Sequence, residues 1–226
     1  MLVIGHRGAS GHALENSLEA FRLCVENPAL RCDGVELDIH SAAGGELVVH
    51  HDAELADGRS IAHLTAQELA AVRLPDGSPL PTLAQALTIL ASIDVFIEAK
   101  GLSVAGQQNL LGLIRAHPAP HRLHIHAFDH RIIRRLHEAD TSLSLGVLSS
   151  SYPLDVASPV LMAGARTLWQ EWHLIDRAMV ERCNSVGIRV IAWTVNSAEA
   201  AVGLREMGVA GVCGNGPERL VVSRES

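Results

Sequence analysis

Glu36 and Asp38 stand two apart in the run Asp33-Gly34-Val35-Glu36-Leu37-Asp38-Ile39-His40, where they alternate with Val35, Leu37 and Ile39. This is the period of a strand with one apolar and one polar face. Side chains two apart on a strand lie ~7 Å apart on the same side. Two carboxylates placed there repel each other unless a cation or a proton lies between them. His6-Arg7-Gly8 lies upstream and His50-His51-Asp52 downstream, each just after a short apolar run, and Glu98 and Lys100 share one face of a further run. Glu36, Asp38 and Glu98 form an all-oxygen donor set suited to Mg²⁺ or Ca²⁺, hard cations that favour carboxylates. No HExxH and no cysteine-based ligand set accompanies them, which argues against zinc. His6 and His51 suit general base and general acid work, because imidazole titrates near neutrality. Arg7 can grip two oxygens of an anion in a fork, and Lys100 can add a point charge. The combination points to metal-assisted chemistry on an anionic substrate.

Each residue also has a plainer reading. Acids at a strand end can simply be solvated, and Arg7 and Lys100 can be their ion-pair partners. The chain has 13 histidines, so most are bystanders, and His124 and His126 can merely fill a strand face. Trp193, beside Thr194 and Asn196, is either core or pocket lining. Glu15-Asn16-Ser17 reads as a helix start capped by Asn16, with Glu15 in reach of Arg7 or His6.

Positioning these groups falls to short apolar runs that alternate with longer amphipathic stretches. Strands are expected at Leu2–Gly5, Gly34–Ile39, Glu46–His50, Asp94–Glu98, Leu123–Ala127, Ser144–Leu148, Thr167–Leu168, Arg189–Thr194 and Gly211–Cys213. Helices are expected from Asn16 or Ser17 to Glu26, and at Pro81–Leu90, Ser103–Ala116, His130–Glu138, Ile175–Ser185 and Ser197–Met207. About eight strand–helix units favour a closed (β/α)8 TIM barrel over an open sheet. The single long interruption, about residues 53–80, is a short insertion after the third strand, with Leu64–Val72 as a short helix. Chemistry in such barrels gathers where strands run into the following loops. His6, Glu36, Asp38, His51, Glu98, Lys100 and Trp193 all fall at such ends, scattered over most of the chain.

Composition bounds the rest. The 226 residues suit one domain, 1–226, and 48% hydrophobic with 19% charged is globular. Aromatics are only 3%, so the core must be aliphatic. A net charge of −7 argues against nucleic acid and anionic membranes as partners. The four cysteines show no CxxC spacing and read as buried thiols. No basic n-region with an apolar h-region opens the sequence, and no run reaches the ~18 residues of a membrane span. A cytoplasmic location without stable membrane insertion is expected; oligomeric state is not legible.

Seven pieces together resemble the glycerophosphodiester phosphodiesterase family: His6-Arg7-Gly8, Glu15-Asn16-Ser17, Val35-Glu36-Leu37-Asp38, Val48-Val49-His50-His51-Asp52, Pro81-Thr82-Leu83, Glu98-Ala99-Lys100 and Trp193-Thr194-Val195-Asn196. They run in the family's order over nearly the whole length. The resemblance implies a (β/α)8 barrel, a divalent metal held by Glu36, Asp38 and Glu98, His6 and His51 as the acid–base pair, and Arg7 and Lys100 on phosphate. The substrate it implies is a small glycerophosphodiester, cleaved to glycerol 3-phosphate and an alcohol. The chain departs from the family at Asp57-Gly58, where an Arg–Thr pair is usual, and at Gly214-Asn215-Gly216-Pro217, where Thr-Asp usually precedes the proline. The second change removes an acid from the last loop, and the short insertion leaves a small lid. Two other readings are lipid phosphodiester cleavage, of phospholipase D or phosphatidylinositol-lyase type, and a non-catalytic phosphodiester-binding barrel. The first would want an exposed apolar rim, and the second has no need of two histidines.

Overall fold

The computed structural model describes residues 1–221. In chain order its elements are β1 (Leu2–Gly5), α1 (Leu18–Glu26), β2 (Gly34–Ser41), β3 (Leu47–Val49), α2 (Ala66–Ala71), α3 (Leu83–Ile89), β4 (Asp94–Gly101), α4 (Val104–Ala116), β5 (Leu123–Ala127), α5 (His130–Ala139), β6 (Ser144–Ser149), α6 (Ser158–Met162), β7 (Thr167–Glu171), α7 (Arg177–Asn184), β8 (Arg189–Trp193), α8 (Ala198–Met207) and β9 (Gly211–Gly214). Every strand except β3 pairs in parallel with its neighbours, and β1 pairs with both β9 and β2, so the sheet closes into an eight-stranded barrel. The barrel expected from the strand–helix alternation is therefore present.

The strand expected third in the chain is the exception. β3 pairs antiparallel with β2, Ile39 opposite Val49, and stands outside the barrel. A five-residue link, 42–46, joins the two strands, which suits a hairpin and is far too short for a parallel crossover. The insertion that follows carries its own small core, where Val48 packs with Leu55, Ile61, Leu64, Leu69, Val72 and Leu80. The expected helix there is α2, held by a capping box between Thr65 and Glu68. Ile61 is fully buried in that cluster. Ile61→Ala is expected to cost about 2–5 kcal/mol, the usual range for a buried isoleucine; a urea titration that leaves the midpoint unchanged would show that the insertion does not fold with the barrel.

Aliphatic side chains fill the layer between the sheet and the helices, among them Val35, Leu37, Ile39, Ile97, Ile125, Val147 and Val190. Two aromatics fill the inside of the barrel, where Phe96 and Trp169 pack with Ile4, Leu148, Ile191 and Cys213. Trp169 meets Phe96 edge-on at 5.4 Å between ring centres and stacks flat on His126 at 4.1 Å. Gly146 makes room for it, since a Cβ there would meet the indole Cδ1 at 3.1 Å. This filled interior forms a floor, and the chemistry-bearing residues lie above it.

Candidate active site

His6 and Arg7 follow β1, and their backbone is bent out of the strand direction. Arg7 has φ +55°, as does Asn16, and Gly8 has φ +81°. Two non-glycine residues in the left-handed region within one loop mark a conformation that its surroundings impose. What the bend achieves is visible in the contacts: the Arg7 backbone N–H donates to Glu36 Oε2 at 3.0 Å, and its guanidinium reaches Glu15 Oε1 at 2.8 Å and Asp38 Oδ2 at 3.2 Å. The Nε–Asp38 approach is an ion contact without hydrogen-bond alignment. Helix α1 is capped by Ser17, which accepts from the Ala20 N–H. Asn16, expected as that cap, instead donates from Nδ2 to Asp38 Oδ2 at 2.8 Å and accepts from the Asp38 N–H.

The register of the barrel explains how distant acids meet. Asp38 lies opposite Glu98 across β2 and β4, and Glu98 lies opposite His126 across β4 and β5. Glu36 sits one inward-facing position deeper on β2. Lys100 Nζ lies 3.0 Å from Glu98 Oε1 and 3.4 Å from Asp38 Oδ1. His6 is anchored from the last loop, with Nδ1 2.7 Å from Asn215 Oδ1. The Asn215 N–H in turn donates to Asn196 Oδ1. His51 lies at the end of the β2–β3 hairpin, with Nδ1 2.8 Å from Asp52 Oδ1, while its carbonyl accepts from His40 Nε2 at 3.1 Å. In both catalytic candidates the partner of Nδ1 leaves Nε2 available to the site. Trp193 closes the far wall, edge-to-face against Phe128 at 5.5 Å.

These side chains line one cavity, bounded by His6, Arg7, Glu36, His51, Glu98, Lys100, His126 and the aromatic wall of Phe128, Trp169 and Trp193. The cavity thus brings together every residue that the sequence pointed to except Asp38. Asp38 lies behind the lining, gripped by Arg7, Lys100 and Asn16. The residues that sequence reasoning passed over are His126 and Asn215. Asn215 carried a signal in its loop, and His126 carried only its alternation with Ile125.

The electrostatics separate the three acids. Burial works against the charge of Asp38, but Lys100, Arg7 and the Asn16 amide outweigh it and hold this carboxyl below its ordinary value. Glu36 is fully buried; desolvation, then Asp38 and Glu98, push its carboxyl well up. Glu98 is pushed up to about 7 by burial and by Asp38, against the pull of Lys100. The cations present therefore balance Asp38 and leave Glu36 and Glu98 short of positive charge. Oxygens of these two glutamates and a His126 nitrogen all lie within 4.8 Å of one another. Two buried carboxylates without a balancing charge are costly, and a divalent cation removes that cost. The donor set fits such an ion. His6, by contrast, is pulled down by burial and by Arg7, which keeps its imidazole neutral near pH 7.

The glycerophosphoryl diester phosphodiesterase family profile matches residues 6–219. A glycerophosphodiester phosphodiesterase of Caldanaerobacter subterraneus subsp. tengcongensis is 28% identical over 237 residues, covering 97% of this chain and 96% of that one. Among solved structures, a putative glycerophosphoryl diester phosphodiesterase from Silicibacter pomeroyi superposes with a TM-score of 0.87 at 23% identity, over 97% of this chain and 91% of that one. A phosphodiesterase from Oleispira antarctica, solved in complex with the product sn-glycerol-3-phosphate, superposes with a TM-score of 0.85 at 21% identity, over 97% and 95% of the two chains. With the family profile spanning all but the ends of the sequence, and the barrel carrying its acids and histidines to one rim, this chain belongs to the glycerophosphoryl diester phosphodiesterase family.

Proposed function

We propose that the chain, acting as one catalytic domain over residues 1–226, hydrolyses small glycerophosphodiesters to glycerol 3-phosphate and an alcohol. The observation that carries this reading is the single cavity in which two undercompensated glutamates, two cationic side chains and two histidines converge. Glu36 and Glu98, with Asp38 behind them, would hold a divalent cation of the Mg²⁺ or Ca²⁺ type. When bound, that ion supplies positive charge to the phosphoryl oxygens. Arg7 and Lys100 border the same space, where they can hold the remaining anionic oxygens and stabilise charge that grows in the transition state. The name of the relative and the product held by the Oleispira antarctica protein support the substrate class.

The protons follow from the imidazole partners. His6, neutral and with Nε2 free, takes a proton from the attacking hydroxyl, either water or the glycerol's own neighbouring hydroxyl. As that oxygen bonds to phosphorus, the bond to the alcohol breaks, and His51 delivers a proton from Nε2 to the departing oxygen. Asp52 Oδ1, 2.8 Å from His51 Nδ1, holds the ring by that nitrogen and leaves Nε2 as the one that can do so. If the glycerol hydroxyl attacks, the cyclic phosphate is opened by water with the two roles reversed. Hydrolysis of glycerophosphocholine and glycerophosphoethanolamine by the purified protein, lost in EDTA and restored by added divalent metal, is the expected result. Full turnover in chelator would remove the cation from this reading, and binding without turnover would favour the non-catalytic alternative.

Asn215 gives a finer test of His6. Asn215→Asp would place a carboxylate at His6 Nδ1 and stabilise the imidazolium, raising the pKa. Because the base works only when deprotonated, the acid limb of kcat/KM is expected to move up by about one pH unit. An unmoved limb in the variant would assign it to another group.

Lipid phosphodiesters are a second reading, favoured by exposed Phe128, Tyr152 and Leu154 on loops beyond β5 and β6, at the mouth's end of the barrel. Turnover of a lysophospholipid exceeding that of glycerophosphocholine would select it. No helix among the described residues is long and apolar enough to cross a membrane.

A further inference from the structure

The acid–base reaction above has no use for His126, yet this side chain is among the most deliberately placed in the barrel. It is 1% exposed, lines the cavity beside Glu98, and has a buried Nδ1 with no hydrogen-bond partner. A buried imidazole nitrogen without a partner is costly, so an unfilled contact at that atom needs an explanation. The ring is held by stacking on Trp169, 11° from parallel, and Trp169 packs closely over Gly146, where a Cβ would come within 3.1 Å of the indole. Its orientation is thus fixed by packing rather than by a hydrogen bond. Atoms bound to one ion at about 2.1–2.4 Å lie no more than about 4.2–4.8 Å apart. The ligand atoms of Glu36, Glu98 and His126 meet that limit before any ion is present. Asp38, whose Oδ1 faces Lys100 and whose Oδ2 faces Asn16 and Arg7, is the less free donor.

We propose that His126 is a nitrogen ligand of the cation held by Glu36 and Glu98, and that it moves the site's preference from Mg²⁺ and Ca²⁺ toward Mn²⁺, Co²⁺ or Zn²⁺. Imidazole is a softer donor than carboxylate and gives its largest gain with transition metals, whereas Ca²⁺ and Mg²⁺ gain little by exchanging oxygen for nitrogen. No HExxH or cysteine-based ligand set marks a zinc site in the sequence, but the register of β4 and β5 brings a histidine to the acids without such a motif. The inference rests on the reading that this cavity holds a divalent cation at all.

The test is metal binding, independent of turnover. The purified chain, stripped and reloaded with one equivalent of Mn²⁺, is examined by pulsed electron paramagnetic resonance for modulation from a directly bound ¹⁴N, and Mn²⁺ and Ca²⁺ affinities are measured by calorimetry. Bound Mn²⁺ showing imidazole nitrogen, with Mn²⁺ preferred over Ca²⁺, is expected. His126→Gln is expected to remove the nitrogen signal and to lower Mn²⁺ affinity by more than about tenfold, at least the effect of disturbing a ligand's surroundings, while changing Ca²⁺ affinity far less. Mn²⁺ bound without a nitrogen signal overturns the assignment of His126 and leaves the carboxylate site standing, in which case the ring serves as a hydrogen-bond donor to phosphate. No divalent ion bound, with Glu36→Gln equal to the parent, overturns both. Should His126→Gln not fold, the spectrum of the unaltered protein decides alone.

Discussion

His6→Ala and His51→Ala are each expected to lower kcat on glycerophosphocholine by about 10²–10⁴-fold, the range for loss of a positioned acid or base. The two variants should then part company when the alcohol is changed. With glycerol 3-(p-nitrophenyl phosphate), the leaving group departs without protonation, so the absence of an acid matters little. His51→Ala should recover most of its lost rate on that substrate, and His6→Ala should not. The assignment comes from what each ring faces. Burial and Arg7 keep the His6 imidazole neutral, and the Asn215 carbonyl oxygen fixes the tautomer that leaves Nε2 free to accept. His51, a third exposed on its side chain, is held at Nδ1 by the Asp52 carboxylate, which leaves Nε2 for the departing oxygen. Equal recovery by both variants, or by neither, would reverse or dissolve the division of labour. Steady-state kinetics on the two substrates, with circular dichroism to show that both variants fold, is sufficient.

Much of this arrangement was readable from the chain because barrel strands end in polar residues after apolar alternation. Glu36 and Asp38 within Val35–Ile39, and Glu98 with Lys100 after Ile97, announce both a strand and a rim. Ser103, Thr82 and Ser17 announced their helices because a hydroxyl preceding an amphipathic run satisfies the first free N–H groups. What could not be read depended on pairing between strands. Nothing local says that Glu98 stands beside His126; the β4–β5 register alone does, and His126 looks like any of 13 histidines until then. The direction of β3 was in principle legible, because the link 42–46 is too short to cross the sheet, but strand periodicity is the same in either direction. Helix α6, with Pro159 among its five residues, is too brief to show a period. Asn16 and Ser17 are both good caps, and only the nearness of Asp38 decides that Asn16 does something else. The pattern likewise marks three acids without ranking them. Their ranking comes from Arg7 and Lys100, which neutralise Asp38 and leave the two glutamates in need of charge.

That imbalance gives the second large effect, a substitution expected to stabilise the fold while it ends the activity. With no metal bound, burial and the neighbouring Asp38 push the Glu98 carboxyl up to about 7, against an ordinary 4.5. A carboxyl with a raised pKa in the fold costs nothing below pH 4.5, where it is protonated in both states. Its cost grows as pH rises from 4.5 to 7 and is constant beyond, reaching roughly 3 kcal/mol. Metal-free protein should therefore lose stability across that interval, and a bound divalent ion should restore it by favouring the carboxylates, with the larger rise in Tm at pH 8 than at pH 5. Glu98→Gln removes the ionisation altogether. At pH 8 the metal-free variant is expected to melt several degrees above the metal-free parent, given roughly 2–4 °C per kcal/mol in a chain of this size, and to match it near pH 5. Loss of the Lys100–Glu98 contact subtracts a little from this gain, since Lys100 keeps Asp38 as a partner. The same variant should no longer gain stability from divalent metal and should fall by more than about 10²-fold in kcat/KM, since the charge supplied to the phosphoryl oxygens is worth several kcal/mol. A Glu98→Gln protein that melts lower than the parent at pH 8 in chelator would mean that Lys100 fully compensates Glu98. Glu98 would then drop out of the charge deficit on which the cation site depends, leaving only Glu36 in need of a positive partner.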